Sequence, residues 1–279
     1  MSGLLYLVGT PIGNMGDISD RAVEVLSSAD IIACEDTRRT GLLLSNLGIK
    51  GNLFSYHEHN KAAKGPVLIS KLKEGLDVVL VSDAGMPCIS DPGADLVTLC
   101  INEGLDVTAV PGPVAAITAL VLSGLDTRYY HFEGFIPVPT KERKIRLEAL
   151  KKINETIVIY EAPHRLMKTI EDLCEYGFSG SRVAFCRELT KKYEQVIRLT
   201  LSEAKAYFEE VPPKGEFVIC MEPLFEKETS DVLSEEELGK AVKELVEEGL
   251  PTKEISKRLA PMTDKSKKEL YSYITNLIK

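Results

Sequence analysis

The residues best suited to chemistry sit where apolar runs end. After Leu4–Val8 comes Gly9-Thr10-Pro11-Ile12-Gly13-Asn14-Met15-Gly16, a glycine-rich turn ahead of a helical pattern. Such a turn can cradle pyrophosphate on free backbone N–H groups, but the glycines then follow G-x-G-x-x-G. Here they stand at 9, 13 and 16, and Pro11 removes a donor, so a phosphate cradle is disfavoured and the loop alone reads as a tight turn. After Val78–Val81 comes Ser82-Asp83-Ala84-Gly85-Met86-Pro87-Cys88-Ile89-Ser90-Asp91-Pro92-Gly93, a stiff loop with two Asp, two Gly and two Pro. Its open carbonyls and negative charge suit a cationic or hydroxyl-rich ligand, and so elaborate a loop favours binding over a structural turn. Val110-Pro111-Gly112-Pro113-Val114-Ala115-Ala116 repeats the arrangement, with small residues that let a flat or bulky ligand lie against backbone.

Two further stretches bring charges together. In Glu35-Asp36-Thr37-Arg38-Arg39, Asp36 has the ordinary place of a helix cap, and the arginines can pair with acids or meet a phosphate. Tyr160-Glu161-Ala162-Pro163-His164-Arg165 gathers a carboxylate, an imidazole and a guanidinium at a turn, and His164 there reads first as a loop histidine. No Ser or Cys has the context of a nucleophile. The histidines offer no convincing metal set, His57-Glu58-His59 being too close-spaced, so no metal is expected. The six cysteines include no C-x-x-C pair and read as buried reduced thiols.

Alternating apolar and amphipathic stretches supply the frame. Strands are expected near Leu4–Gly9, Ile31–Glu35, Val78–Ser82 and Val107–Val110, and helices at about Ser19–Ser28, Leu42–Leu47, Val67–Lys73, Ala94–Glu103 and Val114–Ser123, with Gly48, Gly75 and Gly104 as stops. That is a mostly parallel α/β sheet over residues 1–124. After a hinge at Gly124–Arg128, strands at Thr156–Tyr160, Arg182–Arg187, Gln195–Thr200 and Phe217–Met221 come in closer succession. The pair within Arg182–Thr200 suggests antiparallel pairing, giving an α+β domain over 129–225. Beyond an acidic Phe225–Asp231 linker, Ser234 begins a helix-start pattern, and three helices fit Glu235–Glu248, Thr252–Leu259 and Lys265–Leu277 in a helical region over 234–279.

Charge and length exclude some functions. The net charge of -8 argues mildly against nucleic acid, yet Pro251–Lys279 holds seven bases against three acids, where a polyanion could be held. No stretch approaches the roughly 20 apolar residues of a membrane helix, and the first residues lack the basic flank of a signal peptide. A cytoplasmic protein without a membrane partner is expected.

Taken in order, Gly9–Asn14, Glu35–Arg38, the Ser82–Gly93 loop, Pro111-Gly112-Pro113, Phe132-Glu133-Gly134-Phe135 and Tyr160–Arg165 resemble the tetrapyrrole methylase family of S-adenosyl-L-methionine enzymes over about residues 3–225. Val114 departs from relatives that often carry Ser after Pro-Gly-Pro. The resemblance implies a two-domain α/β homodimer with the methyl donor in the interdomain cleft. It also implies 2′-O-methylation of a cytidine in the decoding region of small-subunit ribosomal RNA, the partner being that RNA or the assembled subunit. By analogy, donor contacts map to Thr10, Pro11, Ser82, Asp83, Met86, Val114, Ala115, Tyr160 and Glu161, with Leu189 over the adenine. Asp36 and Arg38, after the second strand on the same sheet edge, are the candidate catalytic pair. The rival readings are a corrin or porphyrin precursor methylase on the same fold and a catalytically inactive RNA-binding module.

Overall fold

The computed structural model describes residues 2–224, 233, 235–263 and 265–277. The expected linker Phe225–Asp231 and the Ser234 cap lie outside the described residues. The chain forms two compact units, residues 1–224 and 225–279.

The larger unit holds two five-stranded sheets. In the first, β1 (Leu5–Val8), β2 (Ile31–Cys34), β3 (Leu53–Ser55), β4 (Val78–Val81) and β5 (Val107–Val110) stand in the order β3-β2-β4-β1-β5. Every pairing in it is parallel. All four residues of β4, Val-Val-Leu-Val, are buried, as a strand covered on both faces requires. Helices α1 (Asp20–Ser28), α2 (Thr37–Asn46), α3 (Lys61–Lys73), α4 (Ala94–Asn102) and α5 (Ala115–Ser123) connect and follow these strands. Gly48, Gly75 and Gly104 take left-handed φ at the ends of α2, α3 and α4, and the Ile49 N–H closes back on the Leu44 carbonyl at 2.9 Å.

The second sheet is mixed. It comprises β6 (Tyr130–Phe135), β7 (Thr156–Glu161), β8 (Arg182–Arg187), β9 (Gln195–Thr200) and β10 (Phe217–Met221), in the order β6-β7-β10-β8-β9. Only β6 and β7 run parallel, and β8 and β9 pair antiparallel over their full length as expected. Helices α6 (Thr140–Leu150), α7 (Pro163–Glu175) and α8 (Leu201–Glu210) cover one face around Phe178, Phe185 and Ile219. The other face is covered by α5, whose Ala116, Ala119 and Leu120 pack on Val158, Ala184, Cys186, Val218 and Cys220. A helix that follows the parallel sheet in the chain thus buries itself on the mixed one.

Several elements depart from expectation. Helix α2 begins at Thr37 rather than Leu42 and α3 at Lys61 rather than Val67, because Asp36 caps α2 and the polar first turns carry no apolar period. The smaller unit contains α9 (Glu235–Glu247), α10 (Thr252–Leu259) and α11 (Lys267–Leu277) around Leu238, Val242, Ile255, Leu259, Leu270 and Ile274. All six cysteines are free thiols, and burial pushes those of Cys88 and Cys100 up to about 11.

Candidate active site

Strand order brings the sequence loops together. Because β4, β1 and β5 are neighbours, the loops at their carboxyl ends adjoin at one edge of the sheet, where open α/β folds bind ligands. They are joined backbone to backbone. Thr10 and Gly85 exchange both N–H···O bonds, at 2.9 and 3.1 Å, and the Thr10 hydroxyl lies 3.4 Å from the carbonyls of Ser82 and Gly85. The Ser82 hydroxyl donates to the Gly85 carbonyl at 3.1 Å. Gly9 and Gly112 approach so closely that a Cβ on Gly112 would stand 2.8 Å from the Gly9 backbone, and one on Gly9 would stand 2.7 Å from the Met86 sulfur. The Ser82–Gly93 loop is also strained: Cys88 and Ser90 hold φ of 70° and 64°, a region that residues with a Cβ enter at a cost.

The mixed sheet closes the other side. The Ala116 N–H donates to the Tyr160 hydroxyl at 3.1 Å, and the Asn14 N–H donates to the Thr190 hydroxyl at 3.0 Å. Ile12, Val114, Ala115, Leu189, Phe132 and Tyr160 belong to one apolar cluster, with Phe132 and Phe135 edge-on to the Tyr160 ring at 5.0 and 5.6 Å. A cavity of about 310 Å³ is bordered by Thr10, Pro11, Asp83, Arg39 and Lys191. Thr10, Pro11, Ser82, Asp83, Met86, Val114, Ala115, Tyr160 and Leu189 therefore converge on this edge. The Glu161 carboxylate does not: successive strand residues face opposite ways. It is buried instead against the Thr169 hydroxyl at 2.5 Å and the Arg165 guanidinium at 3.3 Å.

The acids at the edge differ in state. Asp36 caps α2, accepting from the Arg38 N–H at 2.8 Å, and is gripped by the Arg38 side chain at 2.8 and 3.2 Å. The Arg38 hydrogen bonds hold its carboxyl well below the usual carboxylate range. Asp83 accepts from the Asp36 N–H at 3.2 Å and pairs with Arg39 at 3.1 Å. Asp91 behaves oppositely. Burial, then the charges of Glu35 and Asp83, push it up to about 6 against a smaller lowering by Ser82. In the sequence Asp91 is one of two acids in the loop, and only its half-buried place beside Glu35 and Asp83 distinguishes it.

Elsewhere, His57 keeps its Nδ1 buried without a partner among the described residues, while Nε2 lies 3.0 Å from the Asn60 amide. No cluster of three metal-binding side chains occurs among the described residues.

A parallel sheet whose carboxyl-edge loops are closed by a second, mixed sheet defines a two-sheet α/β architecture. Solved structures share it. Uroporphyrin-III-C-methyltransferase from Thermus thermophilus aligns with TM-score 0.57 at 22% identity, over 78% of this chain and 94% of its own. Diphthine synthase aligns with TM-score 0.60 at 14% identity, over 80% and 90%. The chain belongs to the tetrapyrrole (corrin/porphyrin) methylase family, whose pattern it matches over residues 4–205. Among curated relatives it is 43% identical to ribosomal RNA small subunit methyltransferase I of Synechocystis, over 96% of both chains. To the protein of the same name from Halalkalibacterium halodurans it is 44% identical, over 97% of this chain and 94% of that one.

The Gly9–Gly112 approach yields a direct test. Gly112→Ala should cost about 1–3 kcal/mol of stability, since its Cβ meets backbone that cannot rotate away. Ligand affinity at the joined loops should fall with it, in thermal melts and titrations run side by side. A variant as stable as the parent would show the loops are not clamped.

Proposed function

We propose that this protein transfers a methyl group from S-adenosyl-L-methionine to the 2′-hydroxyl of a cytidine in the decoding region of small-subunit ribosomal RNA. The observation that carries the reading is the reach of the similarity. The relatives from Synechocystis and Halalkalibacterium halodurans, named for ribosomal RNA methylation, are 43–44% identical over 96–97% of the chain, whereas the uroporphyrin and precorrin methyltransferase structures are 20–22% identical over 78% of it. A corrin or porphyrin substrate is the second reading, favoured only by the shared fold.

The residues present fit such a donor. Asp83, Asp91 and Glu35 concentrate negative charge suited to a sulfonium cation, and burial raises the Asp91 carboxyl to about 6. Val114, Ala115, Leu189 and Tyr160 offer an apolar wall for an adenine, and the tight glycines let a ligand lie against backbone. When bound, the donor supplies an electrophilic methyl group for an in-line displacement. The chain's part is to align, exclude water and move one proton. Asp91, with its carboxyl near 6, is the acid best matched to late proton uptake from a hydroxyl. Asp36 is held ionised by Arg38, whose side chain is 90% exposed and can meet a substrate phosphate through the guanidinium nitrogen that Asp36 leaves open, fixing the line of attack. The pair is thus proposed to serve the acceptor. A cytoplasmic homodimer belongs to the same proposal, supported by the exposed apolar side chains Val121 and Tyr129. The two sheets of the larger unit, with the helical region 234–279, are proposed as its three domains.

The raised Asp91 carboxyl predicts a pH dependence. A cationic donor favours the ionised form, so affinity should be constant above about 7, halve near 6 and fall by about tenfold at pH 5. Calorimetric titration checks this, and Asp91→Asn should remove the acid limb. A parent whose affinity is flat from pH 5 to 8 would contradict the assignment.

The function itself is tested by offering labelled donor with isolated small ribosomal subunits, naked small-subunit RNA or a uroporphyrin-type tetrapyrrole, then digesting the RNA to nucleosides. Label should appear as 2′-O-methylcytidine. Asp36→Asn and Arg38→Ala should each lower transfer by at least about tenfold while donor affinity survives. Label on the tetrapyrrole alone, or on a base carbon, would overturn the reading. Near-normal turnover in both variants would return the motif to a helix cap with a surface pair.

A further inference from the structure

The ribosomal RNA reading leaves one prominent feature unused. On the second sheet, α6 and α7 border a cavity of about 700 Å³ lined by Arg143, Lys144, His164, Arg165 and Lys168, against the acids Asp172 and Glu175. This cationic groove belongs to a chain whose net charge is -8. We propose that it seats the phosphate backbone of the RNA strand that carries the acceptor nucleotide, an inference that rests on the ribosomal RNA reading.

The floor of the groove is built rather than incidental. Arg143 is buried, donating to Asp172 at 2.5 Å, the Thr169 hydroxyl at 2.9 Å and the Pro137 carbonyl at 3.3 Å. Arg165 is anchored by the Ile136 carbonyl and by Glu161, itself fixed by Thr169. These partners pair Asp172 and Glu161 and hold two guanidinium groups in place, leaving Glu175 as the acid at the groove's wall. Lys168 reaches Asp172 at 2.8 Å yet stays 65% exposed, and the exposed Lys144 and His164 have no hydrogen-bond or ion-pair partner among the described residues.

The groove lies on the face of the mixed sheet opposite α5, and its near end starts where β6 and β7 leave the sheet beside the site. Tyr160 faces α5 and the donor loops, and three residues later Pro163 starts α7. Phe135 stacks edge-on against Tyr160 while remaining half exposed, and Val138 at the groove wall follows it by three residues. A strand whose 2′-hydroxyl reaches the donor loops can rest a base on Phe135 and run its next phosphates into the groove. Single-stranded RNA bound by lysines and arginines releases counterions, so each contact adds to the salt dependence of binding.

The test uses the full chain, with isolated small ribosomal subunits lacking the cytidine methyl group as the probe. Lys144→Ala/Lys168→Ala should weaken subunit binding by at least about tenfold and make its log–log salt slope shallower by about 1.4–1.8. The affinity for S-adenosyl-L-methionine and the melting temperature should stay at the parent's values. Lys144→Arg/Lys168→Arg, which keeps the charge, should bind as the parent does. If the parent methylates subunits while the alanine variant binds them with unchanged affinity and slope, the groove is not an RNA seat. If the parent transfers no methyl group to subunits or their RNA, the ribosomal RNA reading falls and takes this inference with it.

Discussion

The hydrogen bond from the Ala116 N–H to the Tyr160 hydroxyl ties the first turn of α5 to a strand of the mixed sheet. It matters because α5 serves two masters. In the chain it continues the Pro111-Gly112-Pro113 loop of the parallel sheet, while its buried face packs on β7, β8 and β10 of the other. The loops that bear acids and glycines are thereby held against the wall that bears Tyr160, Phe132 and Leu189. A buried N–H left without Tyr160 would pay its desolvation penalty at the centre of the site. The outer side of α5 is apolar as well, with Ile117 and Val121 exposed.

Electrostatics at the edge are set by partners rather than by residue type. Asp36, Asp83 and Asp91 are all aspartates near one another. Asp36 is held ionised by Arg38, Asp83 bridges a backbone N–H and Arg39, and Asp91 is raised by burial and by its acidic neighbours. Environments that separate like groups in this way allow one acid to orient and another to exchange a proton near neutral pH. The strained loop carrying Asp91 keeps it there: Ser90 approaches the bulge at Gly134, where a Cβ would come within 3.2 Å of the Ser90 hydroxyl. The energy stored in those left-handed residues is sustained by the clamped backbones around them.

Much of this was legible in the residues, and what was not has physical causes. The run Val78–Val81 announces a strand buried on both faces, and the paired apolar runs from Arg182 to Thr200 announce an antiparallel pair. Sheet order is different, since nothing local in the sequence states that β4, β1 and β5 are neighbours. The convergence of their loops emerges only from long-range pairing. The strand Leu53–Ser55 is three residues long at a sheet edge, too short to show a period, and the mostly charged Thr140–Leu150 hides its helix behind few apolar positions. Glu161 shows the finest limit. Its motif placed it beside Tyr160, but strand alternation sends the two side chains to opposite faces, one toward α5 and the other toward Thr169 and Arg165.

The central claim is that one ligand site is made jointly by both sheets of the larger unit. Amide hydrogen exchange of the whole chain with and without S-adenosyl-L-methionine tests it most directly. The account predicts slowed exchange in residues 10–16, 82–91 and 112–118 of the first sheet's edge together with 160–162 and 187–191 of the second. Slowed exchange confined to the first group, or found in neither, would contradict it.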